Sequence, residues 1–421
     1  MIFINGCTSL PVLHRHLEDE QGKIYIAAFI TEKVRNDYRT CKKYKLINSE
    51  YLIMSSTNKD HAMKSQGNKK LQIAVIKWSD PDGISDPIGQ ELIALGHEVK
   101  YMLHEAAIPD DIDLLFSFAP YGRFYPIQAQ LSKLPESKRP FFVHWNFESF
   151  PNHKIPWKII QLISLLRSRV DRLNDSKNSF AQYLIRKSPL SLIDRYMYKF
   201  RYIGDYQYAY DHGLLDMLFE TSSIHATLYN QNGMPATYVP WGISPCWYAD
   251  LKMKRDIDVL WMGKRRTRRR SNLIDKIYDE LQSRGFNMYI ADNEVHPFVF
   301  DDVRTQFLNR AKITLGLSPS WYDTSYVFRI NLAAANRSLF VSEPILPHAP
   351  HFIPNMHYVS APVEDLADTL VYYLTHEDMR NSIAESAYQL VTTDLSLDKS
   401  VKTIMMSVSN RLDSRASSTL M

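Results

Sequence analysis

The stretch DVLWMGKRRTRRRSN, Asp258 to Asn272, runs from an apolar segment through a single glycine into six basic residues in seven, Lys264 to Arg270. The whole 421-residue chain has a net charge of only +4, so this block is a local feature and asks for a local anionic partner. Arg266 to Arg270 cannot all reach one ligand; several must be solvated or face something else, such as an anionic lipid or polymer. An exposed, solvated loop is the plain alternative. A nucleic-acid contact is a weaker one, because the charge is not spread into a stripe.

A second group with chemical potential is His144 and Glu148 in PFFVHWNFESF, just past the end of an expected strand. An imidazole or carboxylate within reach of a hydroxyl can act as general base or orient it. The alternative is that His144 fills a hydrogen bond beneath the sheet edge. Asp80 and Asp82 in SDPDG have the spacing of a metal-binding DxD only superficially, and turn formation and helix capping account for them better. His348 and His351 in LPHAPHF have no further ligands at metal spacing, which predicts a loop. The aromatic cluster YKFRYIGDYQYAYDHG, 198–213, suits either sugar stacking or packing. Cys7, Cys41 and Cys246 show neither disulfide nor zinc spacing, which fits a reducing compartment.

These groups need elements to hold them. Residues 1–70 form an N-terminal extension with strand-like runs at 24–30 and 43–47 and a polar linker at 55–70. From Leu71 the order becomes regular: strand 71–78, loop 79–87, helix 88–96 closed by Gly96, strand 97–103, and strands at 113–120 and 140–148. In WKIIQLISLLRSRV, 157–170, Ile159, Ile160, Leu162, Ile163, Leu165 and Leu166 form a broad apolar face that could pack on the next helix or dock on a membrane surface, packing being the commoner use. A strand at 214–223, a helix at 224–233 and, over 236–245, a strand running into a Pro/Gly-rich turn that is a candidate hinge end this half.

The pattern then restarts: strand 256–263, helix 273–285, strand 286–291, helix 301–311, strand 312–318, helix 325–336, strands at 338–343 and 357–361, and helices 364–376 and 377–391. The expected fold class is α/β, with two doubly wound Rossmann-like domains, 71–240 and 241–391, facing across a cleft. Residues 392–421 read as a C-terminal helix and a tail, 409–421, that looks disordered. No apolar run approaches the length needed to span a bilayer, and the N-terminus lacks signal-peptide features; a cytoplasmic protein, peripheral at a membrane if the 157–170 face docks there, is expected.

The second half carries a resemblance. DIDVLWMGKRRTRRRSNLIDKIYDELQSRG resembles the opening of the C-terminal domain of GT-B glycosyltransferases, and ATYVPWGISP resembles their interdomain linker. SYVFRINLAAANRSLFVSE and HYVSAPVEDLADTLVYYLTHEDMRNSIAESAYQLV look like the end of the CgeB-like, spore-maturation-type branch. The resemblance implies a nucleotide-sugar donor in the C-terminal domain, an unidentified acceptor (saccharide, protein or lipid) on the N-terminal side, and no metal or other cofactor. It places Gly263, Lys264 and Arg265 at the donor diphosphate, where close backbone approach, cations and a helix N-terminus stabilise negative charge.

Ser318 and Ser320 follow a strand end on the donor side, and Arg329 matches the family's arginine. One departure matters: the family's Arg, two apolar residues, Glu and a later Gly reads here as Arg329, Ile330, Asn331, Leu332 and, at the Gly position, Arg337. In the family that carboxylate would bind the donor's ribose hydroxyls, so its absence weakens nucleotide recognition or moves it to Asn331 or Glu343. The expected function is therefore sugar transfer from a nucleotide-sugar donor, with His144 and Glu148 as catalytic candidates. The alternative is a non-catalytic relative that binds a nucleotide or sugar as scaffold or regulator.

Overall fold

The computed structural model describes residues 16–18, 24–26, 70–79, 83–118, 124–148, 150–174, 197–265, 267–320, 327–345 and 349–419. Met1–Ser65 and Gln66–Met421 are separate compact units. In the first, β1 (His16–Glu18) pairs antiparallel with β2 (Ile24–Ile26). The strand expected at 43–47 lies outside the described residues.

In the second unit β3 (Gln72–Lys77), β4 (Glu98–Leu103), β5 (Leu114–Phe118), β6 (Phe141–Asn146), β7 (Met217–Glu220) and β8 (Ala236–Tyr238) form a parallel sheet in the order β4-β3-β5-β6-β7-β8. Strands β5 and β6 are buried along their whole length, and such strands require cover on both faces. That cover comes in part from α1 (Ser85–Ala94), α2 (Phe124–Leu131), α3 (Trp157–Asn174), α4 (Ile203–Asp211) and α5 (Ser223–Gln231). The Tyr-rich 198–213 segment supplies α4, whose Tyr206 is buried in the core.

A second parallel sheet, β10-β9-β11-β12-β13, is built from β9 (Ile257–Met262), β10 (Met288–Ala291), β11 (Ala311–Gly316), β12 (Leu339–Ser342) and β13 (Val359–Ser360). Its helices are α6 (Arg268–Ser283), α7 (Asp301–Arg310), α8 (Val327–Ala335), α9 (Leu366–Thr375) and α10 (Glu377–Gln389). The expected two-sheet α/β class is the observed one. In both sheets the second strand lies outside the first, so the chain reverses direction beside β3 and β9, and ligands of such sheets sit at the C-terminal strand ends there.

The last helix, α11 (Leu397–Thr419), corrects the expectation of a disordered tail over 409–419. Val401, Ile404, Met405 and Val408 bury one side of it in a core shared by both sheets, with Ile73, Ile88 and Leu92 on one side and Ile257, Leu260 and Ala333 on the other. Near its end, Arg415 pairs with Asp216 and lies 4.9 Å over the Phe141 ring. The polar, Ser-rich sequence reads as a tail because these partners are distant in the chain.

The turn expected as a hinge crosses between the sheets as a buried strap. Ile243 N–H donates to the Leu395 carbonyl (2.8 Å), Leu397 N–H donates to the Ile243 carbonyl (2.9 Å), and Trp241 is buried. Among the described residues no helix is long and apolar enough to cross a membrane.

Candidate active site

Strand β9 ends at the reversal point of its sheet, and Gly263 follows with φ +127°, a conformation that strains any residue with a Cβ. Its amide donates to the Ala291 carbonyl at 3.0 Å. A Cβ at this position would lie 3.9 Å from the guanidinium of Arg329, on the first turns of α8. The glycine is thus the point where a ligand can approach the main chain with a cation facing it. Arg329 itself stands 5.1 Å over the buried Trp261 ring.

The rest of the basic block is largely spent on holding this loop. Thr267 caps α6 by accepting from Arg270 N–H (3.3 Å) and donates to the Pro319 carbonyl (3.2 Å). Arg270 is buried: its Nε donates to the Arg265 carbonyl (2.8 Å), one terminal nitrogen to the Lys264 carbonyl and the other to the Leu317 carbonyl (3.4 Å). It also stands 5.4 Å from the Trp261 ring. Arg269 donates to the Ser318 carbonyl (3.1 Å) and forms a two-pronged pair with Glu343. One helix start therefore ties the loop after β9 to the loop after β11. Local sequence does not signal these roles for Thr267, Arg269 and Arg270, because each depends on at least one partner from the loop after β11 or β12: Pro319, Ser318 and Glu343, and Leu317.

Arg265 donates to Asp292 and Asp275, both at 2.6 Å, and these carboxylates hold its charge. Lys264 is exposed and makes no side-chain hydrogen bond or ion pair among the described residues. Arg266 lies outside them. Ser318 offers its amide to Glu343 (2.8 Å), and Ser320 Oγ accepts from Lys199 Nζ of the other lobe (3.0 Å). Asn331 is fully buried and donates to the Trp241 carbonyl (2.6 Å), so it fixes the strap. Leu332, at the position of the family's glutamate, is buried in the shared core. Of the two carboxylate substitutes considered, Glu343 is the one at a strand end beside this loop. Gly263, Lys264, Arg329, Ser318 and Glu343 thus come together around the ends of β9, β11 and β12; of these Glu343 is buried and held by Arg269 and the Ser318 amide, as Arg265 and Asn331 are held by their own protein partners.

On the N-terminal side the structure corrects His144. It points from β6 into the core, fully buried, where an acceptor has no access. Its Nδ1 is 2.6 Å from Ser117 Oγ and its Nε2 is 3.0 Å from Tyr206 OH, which donates to Asn146 Oδ1 (3.0 Å). With Tyr206 donating onward, His144 is the neutral form protonated on Nε2. Burial lowers its pKa to about 3. Asn146 in turn donates to Glu220 (2.7 Å), whose pKa burial raises well above the ordinary carboxylate value and whose other oxygen lies 3.6 Å from His225 Nδ1. Periodicity alone puts His144 on one face of β6 but does not say that both faces are covered.

A depressed histidine has a definite consequence for stability. The unfolded chain takes up a proton below pH 6.5 that the folded chain refuses, so the stability present above pH 6.5 is lost as pH falls. Between pH 6.5 and pH 5 His144 alone is expected to remove about 2 kcal/mol. Urea unfolding at the two pH values should show this loss, and His144→Gln should remove that part of the pH dependence.

Glu148 sits just past β6, half-buried, its amide donating to Asn146 Oδ1 at 3.1 Å. The adjoining Phe147 meets Phe328 of α8 edge-on (6.4 Å) and Trp241 at 5.7 Å. Phe118, at the end of β5, stacks on Trp241 at 4.5 Å. These rings join the strand ends of one sheet to the first turn of α8, so the backbones that carry Glu148 and Arg329 are neighbours across an aromatic floor. Asp80, Asp82 and His348 lie outside the described residues; His351 is stacked on Tyr238 at 6.2 Å.

Residues 265–406 match the family model described as glycosyl transferase-like. No curated protein matches the chain. Among solved structures the chain is similar to sucrose-phosphate synthase from Thermosynechococcus elongatus, with 9% identity and TM-score 0.52, over 82% of this chain and 100% of that one. It is also similar to HepE from Anabaena in complex with UDP and glucose, with 9% identity and TM-score 0.48, over 81% of this chain and 100% of the other. The first likeness shows the fold. That fold is of the GT-B class, two parallel-sheet α/β lobes.

Proposed function

We propose that the protein transfers a sugar from a nucleotide-sugar donor to an acceptor held at the N-terminal lobe, as a member of the CgeB-like branch. The observation that carries the donor site is the glycine cradle: Gly263 at φ +127° with the Arg329 guanidinium facing it, beside the exposed Lys264, which has no ion pair among the described residues. A diphosphate lying against the Gly263 backbone would be met by two cations and the start of α6, in a loop already held rigid by Arg270. Glu343, at the end of β12, is the carboxylate placed for sugar or ribose hydroxyls, with Arg269 as its present partner. Glu148 is the acceptor-side group suited to take a proton from the attacking hydroxyl.

Thermal unfolding of the purified protein across nucleoside diphosphates and nucleotide sugars tests the reading, since a ligand of the folded state raises the transition temperature. One nucleotude class is expected to do so. Lys264→Ala should weaken that ligand about 10- to 100-fold, the worth of one charge-assisted hydrogen bond, without changing the stability of the free protein. No shift with any nucleotide removes the donor site.

A second reading, binding without transfer, is favoured by Leu332, which fills the family's glutamate position and is buried. It predicts the same thermal shift with no turnover of any nucleotide sugar, and no change in hydrolysis on Glu148→Gln.

A further inference from the structure

Helix α3 is turned the wrong way round for a helix that only packs. Its inward side is polar in good part: Ser164 and Arg167 are fully buried, with Ser164 bonded to the Phe200 carbonyl (2.7 Å) and the Gly204 amide (2.6 Å), and Arg167 paired with Asp171 at 2.8 Å. Its outward side carries Ile159 (48% exposed), Leu162 (60%), Leu165 (49%), Leu166 (44%) and Leu173 (46%). At about 100° per residue these side chains share an arc of about 120° with Lys158 and Arg169, both exposed.

Neither Lys158 nor Arg169 has a carboxylate partner among the described residues. The only acidic residue of the helix, Asp171, is turned inward to Arg167 and Arg201. The exposed face is therefore apolar and cationic with no negative charge of its own. A protein groove would have to supply a broad apolar surface lined with acid. A bilayer of anionic lipid supplies both as a matter of course: acyl chains for the leucines and headgroup phosphates for the longer basic side chains.

We infer that this face of α3 docks the protein in plane on an anionic lipid surface. The inference stands on α3 alone and does not depend on sugar transfer. If sugar transfer also holds, the β6–α3 connection, which carries Glu148, approaches the lipid, and a lipid-borne acceptor becomes the first substrate class to try.

The full chain is to be sedimented with vesicles of phosphatidylcholine alone and of phosphatidylcholine with about a third phosphatidylglycerol, a mixture with the negative surface the cations require. Binding is expected to the second, weakening several-fold as salt rises from about 0.1 to 0.5 M. Leu162→Gln, Leu165→Gln and Leu166→Gln together should lower the partition coefficient at least about tenfold. Lys158→Glu with Arg169→Glu should abolish the preference for the anionic vesicles. Both variants change exposed side chains, so thermal unfolding and its shift by nucleotide should match the wild type. This keeps the outcome separate from that of the donor site.

Failure of the wild type to bind anionic vesicles, or equal binding by the triple glutamine variant, overturns the inference. So does a wild-type dimer in sedimentation velocity that the triple variant dissociates, which would make the face a contact between copies of this chain.

Discussion

Arg270→Ala is expected to cost about 3–5 kcal/mol of folding stability, whereas Arg268→Ala, two positions earlier in the same basic block, should change it by less than about 0.5 kcal/mol. Arg270 is buried and serves the carbonyls of Lys264, Arg265 and Leu317 at once. Its loss leaves the buried Leu317 carbonyl and the part-buried Lys264 and Arg265 carbonyls without their donor, opens a cavity where the side chain was, and removes the cation beside Trp261. Arg268 is exposed on the first turn of α6.

Lysine at 270 should not rescue the loss, because an ammonium on a flexible stem lacks the planar fork that reaches several carbonyls in different directions. Urea denaturation of Arg270→Ala, Arg270→Lys and Arg268→Ala makes the comparison. Equal stability of the two alanine variants would mean that the block is a solvated loop after all. Arg270→Ala should also weaken the thermal shift by nucleotide even at temperatures where it is folded, since the Lys264 and Arg265 carbonyls lose the side chain that shapes the loop after β9 and one of its ties to the loop after β11 is gone.

The second large effect belongs to the strap between the sheets. In Gly242→Ala the new Cβ would lie 2.6 Å from the Leu397 amide nitrogen and closer still to the Ser396 carbonyl, both main-chain atoms. A flexible side chain could swing away, but here the two backbones are bonded through Ile243 to Leu395 and Leu397 and cannot part without breaking those bonds. The expected cost is about 3 kcal/mol. Gly89→Ala is the control: the atoms nearest its Cβ belong to the end of the Tyr101 side chain, which is 40% exposed and can swing outward for the loss of one exposed hydrogen bond to the Asp86 carbonyl. A lowered urea midpoint for Gly242→Ala with a near-normal one for Gly89→Ala would establish that α11 and the strap lock the lobes together. Similar midpoints for the two would show that the contact with Ser396 yields.

Sequence alone determined the two repeats of strand and helix, because doubly buried parallel strands such as LQIAVIKW and DVLWM must be almost continuously apolar and are separated by helical periods and glycine stops. It also determined that Gly263 begins a basic loop at a strand end, since that needs only local order. What each cation does was decided by tertiary structure. Arg265, Arg269 and Arg270 look alike in sequence, yet they are held respectively by Asp292 and Asp275, by Glu343, and by three carbonyls, all supplied or shaped by other segments.

His144 and α11 show the same limit from the other side. A polar residue in an apolar strand reads as a group at a site, and a Ser-rich terminus reads as a tail. In the fold, His144 is satisfied by Ser117 and Tyr206, and α11 is ordered by the far strand ends and the strap it packs on. Local pattern fixes which elements form, because backbone hydrogen bonding and burial period act over a few residues. Which side chains remain free to meet a ligand depends on long-range partners, and those exist only once the chain has closed on itself.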